Sequence, residues 1–411
     1  MSEKIVESES ANKSAQSLSR GMRMLCVGLL VLLGFSLGCS EFAVIGIEGD
    51  IAEAYGVTLS QAGQLISAFA VTYAVLTPIL GLVTGRFRRF QLLLAYSAVF
   101  CVANLFQAIA PSFAVLIASR VLIGAVSGAL LAVGVTFLPE LLSPERTSMG
   151  LSVVYASFSV AMVIATSAGK LAAEFLDWRV VPWATLTLAV VTCAALIAVL
   201  PREGATDEPS TFGDQVQLLL EPQVLSCIAI FVFGVGSVYV FYGYVTPYLE
   251  DVLGLSAVDA SLALMAYGGV TFVSNLLSGV IESKWGMPAL LAVFPIQAVA
   301  LLALWLSGSA MPAGIIAVMV VALLMYASSV SCVSMFMRTA TQRHPKALTL
   351  ASSLEPMAFN IGIAFGTVVG GMVVSGPGIQ NAGIVGAAFS LVAMGFVVLT
   401  LRFCRRAEKS A

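Results

Sequence analysis

The sequence predicts an all-α membrane protein of twelve transmembrane helices arranged as two six-helix repeats. Three observations predict it. Of 411 residues, 59% are hydrophobic and 10% charged, whereas a soluble domain is roughly half apolar and about a quarter charged. The apolar residues fall into runs of the length, about 20 residues, that a helix needs to cross hydrocarbon. Residues also recur between the two halves of the chain at one constant spacing. This composition excludes a soluble enzyme, a nucleic-acid binder and a disordered chain, because too little polar surface exists to cover a globule. A transmembrane barrel is excluded as well, since its strands alternate over about ten residues.

Uncharged stretches run 24–40, 61–85, 90–119, 121–139, 147–169, 180–201, 222–249, 260–281, 285–337 and 356–401. The stretches 285–337 and 356–401 exceed one crossing and break at Gly308-Ser309-Ala310-Met311-Pro312 and at Ser375-Gly376-Pro377-Gly378, where Gly and Pro punctuate turns. Twelve helices follow: 24–47, 61–84, 90–110, 113–139, 148–173, 179–200, 223–247, 257–281, 287–308, 312–337, 347–374 and 379–402. A polar tail, 1–23, precedes them, and no cleavable signal is read there; the first helix serves as the anchor. The longest connection, 201–222, carries Pro201, Gly204, Pro209 and Ser210 and reads as a linker between a bundle at 24–200 and one at 223–402, with a tail at 403–411.

Orientation comes from Lys and Arg, which favour the cytoplasmic side. Seventeen of the 20 lie on the side of the termini, including Arg20, Arg23, Arg86, Arg88, Arg89, Lys284, Arg338 and Arg343. The opposite side has only Arg179, and its loops 48–60 and 250–259 carry acids without bases. Both termini are therefore expected in the cytoplasm. The repeat shows as Gly56/Gly254, Phe69/Tyr267, Gly81/Gly279, Arg86/Lys284 and Phe87/Trp285, each pair 198 residues apart. Parallel six-helix repeats mark one large transporter architecture.

Several motifs carry a family resemblance. Gly81-Leu82-Val83-Thr84-Gly85-Arg86-Phe87-Arg88-Arg89 resembles the loop signature of the major facilitator superfamily, with Gly85 where that signature has Asp. The segment Arg120-Val121-Leu122-Ile123-Gly124-Ala125-Val126-Ser127-Gly128 resembles the helix-four motif of drug and proton antiporters. Ser40-Glu41-Phe42 with Gly46 and Asp50-Ile51-Ala52, Asp177-Trp178-Arg179 and Asn360-Ile361-Gly362 resemble a subfamily of bacterial sugar efflux, purine nucleoside efflux and chloramphenicol exporters. At the helix-five position of Gly-x-Pro-x-Gly this chain has Ala165-Thr166-Ser167-Ala168-Gly169. The resemblance covers about residues 24–400. It implies the major facilitator fold, an inner-gate loop at Gly81, Arg86, Arg88 and Arg89, and export of a drug-, nucleoside- or sugar-like compound across a bacterial inner membrane by proton antiport. An importer on the same fold and a non-transporting sensor are the alternatives.

Charges within the apolar runs are few and expensive, roughly +3 kcal/mol each at a helix centre. Glu41 lies near the outer end of helix one and Arg120 at matching depth in helix four; on the resembled fold both helices line the central cavity. They are expected to meet directly or through water and to switch a proton. Glu355 precedes Pro356, which removes a helical hydrogen bond, and is a second candidate for proton coupling. Lys170 is read as snorkelling towards Glu174. Tyr239 and Tyr242 share a helix face and, if it points inward, would stack on a planar substrate; Asn275 and Asn360 would hydrogen-bond it. With so few counter-charges, an uncharged or weakly polar substrate is expected. Gly124 and Gly128, and Gly362, Gly366 and Gly370, have the spacing of close helix packing.

The seven cysteines are scattered and apolar in context, and His344 is the single histidine, so no metal, cofactor or disulfide framework is expected. No Walker A sequence is present, which leaves an ion gradient as the energy source. The expected partners are protons, a small-molecule substrate and the bilayer, without nucleic acid. One chain supplies a complete pore, so a monomer is expected, and no enzyme activity.

Overall fold

The computed structural model describes residues 19–84, 87–201 and 212–410, and among them there is no strand. Twelve helices there are long and apolar enough to cross a membrane. They are α1 (Arg20–Gly46), α2 (Leu59–Thr84), α3 (Arg89–Ala108), α4 (Phe113–Val135), α5 (Pro144–Phe175) and α6 (Val180–Val199). In the second half follow α7 (Pro222–Tyr242), α8 (Ala257–Trp285), α9 (Leu290–Ser307), α10 (Met311–Arg343, in two pieces), α11 (Leu348–Ser375) and α12 (Ala382–Ser410).

In the first half α1 packs on α5 and α6, and α4 on α2 and α3; in the second α7 packs on α11 and α12, and α10 on α8 and α9. The halves meet along two seams, α2 on α11 and α5 on α8. Close approach depends on missing side chains. At Gly366 a Cβ would stand 2.9 Å from both Gly236 Cα and Tyr239 Cβ, so the Gly362, Gly366 and Gly370 stripe seats α11 on α7.

The repeat extends to the helix ends. Gly56 and Gly254 both hold positive φ, 63° and 68°, a backbone that glycine adopts without steric penalty. Two residues on, Thr58 accepts from the Gln61 N–H while Gln61 Oε1 accepts from the Thr58 N–H, at 3.2 and 2.8 Å. The second copy has Ser256 accepting from the Asp259 N–H at 3.1 Å. Such caps satisfy N–H groups that a helix start leaves without partners.

Several boundaries differ from the expected ones. Helix seven was expected to reach 247 but ends at Tyr242. Pro247 has no N–H, and its ring clashes with the carbonyl four residues back; the chain turns through Val245–Pro247 and Tyr248–Val252 instead. Within the expected linker, Phe212–Leu220 is helical, and α12 continues through the expected tail to Ser410. Helix four stops at Val135 and a short helix, Leu138–Leu141, follows. Helix ten breaks at 325–328. There Ser274 and Ser278 of α8 accept from the Tyr326 and Val330 N–H groups, each at 2.9 Å. Non-helical backbone survives at membrane depth where neighbouring side chains satisfy it.

Candidate functional site: a cavity between the halves

A cavity of about 290 Å³ lies between the two halves. From the first half Glu41 and Phe42 (α1), Tyr73 (α2), Leu131 (α4) and Tyr155, Phe158 and Ser159 (α5) line it. From the second come Asn275 (α8), Tyr326, Ser329, Val330 and Val333 (α10), and Glu355, Pro356, Phe359 and Asn360 (α11). Among the described residues the lining thus holds two carboxyls and six aromatic rings, and no Lys, Arg or His.

Both carboxyls stand in positions set by helix phase. Glu41 is 8% exposed, and Tyr73 and Tyr326 lie within electrostatic reach of both Glu41 and Glu355. Neither carboxyl forms an ion pair with a described residue. Tyr326 stacks on Phe359 at 5.2 Å and 7°, one flat wall beside the break in α10.

Arg120 is fully buried and does not pair with the Glu41 carboxyl. Its Nη1 donates to the Ser40 carbonyl at 2.5 Å, its Nη2 to the Glu41 carbonyl at 3.0 Å, and its Nε to the Leu65 carbonyl at 3.2 Å. The guanidinium also lies 4.8 Å over the Phe69 ring. Arg120 and Glu41 therefore come together as expected in place, but the contact is to main chain. A guanidinium offers five donors in a planar fork, and here it spans α1, α2 and α4. The Glu41 carboxyl points to the cavity and stays within electrostatic reach of this charge.

Of the expected substrate contacts, Asn275 and Asn360 line the cavity. Asn360 Nδ2 donates to the Pro356 carbonyl at 3.0 Å, and its Oδ1 has no partner. Tyr239 and Tyr242 do not line the cavity. Tyr242 stacks on Tyr267 at 4.6 Å and 13°, and Tyr239 meets Tyr242 edge-on at 5.4 Å. Both are buried, Tyr239 beside Glu41, because α7 is buried on nearly all sides and its tyrosines turn to neighbouring helices rather than to the cavity. The cavity-lining tyrosines that sequence reasoning missed are Tyr73, Tyr155 and Tyr326. Each brings a hydroxyl into an apolar run, where an unpartnered polar group is disfavoured, but a Ser or Thr stands within two residues of each, so the signal was diffuse.

The seam closes on the side of the 48–60 and 250–259 loops. Thr246 donates to the Ile45 carbonyl and Ser261 to the Ser167 carbonyl, each at 2.8 Å. Lys170 is buried and pairs with Glu250 of the other half at 2.9 Å, and with Asp50 at 3.9 Å. The expected snorkelling towards Glu174 is thus replaced by a bridge between halves. Burial raises the Asp50 carboxyl above its ordinary range, and the Lys170 charge opposes that rise.

Residues 30–355 match the sequence model of the Major Facilitator Superfamily. The chain belongs to that family. Over 393 residues it is 28% identical to the MFS-type transporter YfhI of Bacillus subtilis (strain 168), spanning 93% of this chain and 94% of that one. It is 27% identical over 374 residues to the inner membrane transport protein YdhP of Escherichia coli (strain K12), spanning 91% and 95%. Its fold is similar to that of a bacterial homologue of the human lysosomal transporter Spinster in an inward-facing, occupied conformation. That similarity has TM-score 0.71 at 16% identity, over 94% of this chain and 98% of that one. It is also similar to the D-xylose-proton symporter, with TM-score 0.71 at 15% identity, over 92% and 97%.

In this major facilitator chain the residues expected to form an inner-gate loop fall only partly within the described residues. Gly81 lies in the last turn of α2 and Arg88 is exposed, whereas Arg86 lies outside the described residues. Arg89 pairs with Glu140 at 3.3 Å and donates to the Thr136 carbonyl at 3.2 Å. Arg89 thus meets a carboxylate of the short helix after α4. Among the described residues no three His, Cys, Asp or Glu side chains gather as a metal site needs.

Proposed function

We propose that this chain is a secondary active transporter of a bacterial inner membrane, its termini cytoplasmic, that exports a small organic compound in exchange for protons by alternating access. One observation carries the reading: a cavity between the two halves, closed on the loop 48–60 side, holds two carboxyls without ion-pair partners among the described residues. A carboxyl in a low-dielectric cavity favours its neutral form, and a bound cation favours the ionised one. Substrate and proton therefore compete for Glu41 and Glu355, which is the condition for exchange. The lining adds a chemistry that differs from the uncharged compound expected from sequence. Six aromatic rings and two acids with no base suit an aromatic compound carrying one positive charge, since cations are attracted to ring faces as well as to carboxylates. Arg120 would act by holding α1, α2 and α4 together behind Glu41.

The test is accumulation of ethidium, a planar aromatic cation, in pump-deficient bacterial cells. Cells expressing the chain should hold less ethidium than controls, and an uncoupler or Glu41→Gln at matched expression should remove the difference. Raised accumulation would instead mean import, and unchanged accumulation across aromatic cations would refute the substrate class.

A further inference from the structure

Glu48 opens the short helix Glu48–Tyr55 just beyond α1. It is 0% exposed, and neither carboxyl oxygen has a hydrogen-bond partner. It sits where the halves meet: Thr246, its counterpart 198 residues on, bonds to Ile45 three residues before it. The groups that could serve Glu48 are engaged elsewhere. Tyr242 at the end of α7 and Tyr244 just beyond it lie within electrostatic reach, but the Tyr242 hydroxyl is hydrogen-bonded with Thr166 and the Tyr244 hydroxyl donates to the Thr367 carbonyl at 3.1 Å. Lys170 of α5 is bound to Glu250 and Asp50. The first two turns of α2 carry no charged side chain, and the other titratable groups of its own helix are Asp50, Glu53 and Tyr55.

An ionised carboxylate buried without partners is so unfavourable that the group takes up a proton instead. When the halves part on this side, as the alternating-access reading requires, water reaches the seam and the acid can ionise. We propose that Glu48 is a proton-binding latch of this gate: it holds a proton while the seam is shut and releases it to the far-side water when the seam opens. The reaction is ionisation of one carboxylic acid, one proton leaving and one carboxylate remaining. The site is separate from Glu41 and Glu355, and it is independent of substrate and transport direction, resting only on the alternating-access reading.

One linked proton changes the open-to-closed ratio by up to tenfold per pH unit. The closed seam binds the proton, so low pH on the far side favours closure and high pH favours opening. Ala54 and Val258 are exposed and lie on opposite halves of the far side. Cysteines at these positions would carry spin labels on the full chain in nanodiscs, with distance distributions recorded from pH 5 to 9. In an otherwise natural background the ratio of long to short distances should rise with pH by up to tenfold per unit. Glu48→Gln, which keeps size and mimics the protonated acid, should hold the short distance throughout, and Glu48→Asp should restore the pH response. Asp50→Asn and Glu250→Gln should leave the pH response in place. A Glu48→Gln profile that follows the parent profile would overturn the latch while leaving alternating access intact. A single distance at every pH, also with ethidium added, would overturn alternating access and the latch with it.

Discussion

The pairing of Arg120 with main chain rather than with the Glu41 carboxyl makes a quantitative prediction. Arg120→Lys keeps the charge but replaces a planar fork by a point donor, so at most one of the three carbonyl bonds at 2.5, 3.0 and 3.2 Å survives. Hydrogen bonds between membrane helices measure about 0.6 kcal/mol on average and up to about 1.7. Two lost bonds, with about 0.5–1 kcal/mol for the contact over Phe69, give a loss of roughly 2–4 kcal/mol. Glu41→Gln breaks no ion pair and is expected to change stability by less than about 1 kcal/mol. A double-mutant cycle of Glu41→Gln with Arg120→Gln, which removes the charge, measured by unfolding in detergent, should therefore give a coupling below about 1 kcal/mol. If the two side chains instead formed the buried pair that the sequence suggests, removing either would be strongly destabilising, about 3–5 kcal/mol, and the double variant would cost little more. A coupling of about 3 kcal/mol or more would refute the carbonyl assignment.

Three further outcomes follow from the packing and the charges. Gly366→Val should lower stability by about 1–3 kcal/mol through overpacking, against Gly395→Ala as control, where a Cβ meets nothing within 4 Å. Glu250→Gln should raise the far-side open fraction roughly fivefold, about 1 kcal/mol for a partly buried pair, read by label distance. Asp50→Asn should shift it less, since Asp50 belongs to the same half as Lys170 and lies at 3.9 Å. A cation held roughly 5 Å from the Glu355 carboxylate would be attracted by roughly 3 kcal/mol at an effective dielectric constant of about 20. Glu355→Gln should accordingly weaken ethidium binding about tenfold or more while sparing a neutral aromatic compound of similar size, as fluorescence titration would report.

The twelve helices were legible because each must be long and apolar, and both properties are written in the chain. The repeat was legible in the same way: Gly56 and Gly254 recur because each helix end requires the same backbone. Glu41, Arg120 and Glu355 stood out as charges within apolar runs. What Arg120 bonds was not legible, because the Glu41 carboxylate and the carbonyl of the same residue, four bonds away, compete through helix rotation and rotamer alone. Tyr239 and Tyr242 share a face, but a helix that is apolar on every side carries no mark of which face meets the cavity. The break in α10 has no Gly or Pro at 325–328; its support, Ser274 and Ser278, lies on another helix. Lys170 drew an expectation from its sequence neighbour Glu174, while its partner Glu250 is 80 residues away. Glu48 read as a loop acid because the apolar run stops just before it, yet the fold buries it.

Exchange is the central claim, and purified protein in sealed liposomes tests it most directly. With a dye reporting lumenal pH, ethidium moving in one direction through the protein should drive protons in the other. An imposed pH gradient should drive ethidium against its own gradient, and Glu41→Gln should remove both effects. Ethidium flux that neither moves protons nor responds to the pH gradient would contradict proton antiport.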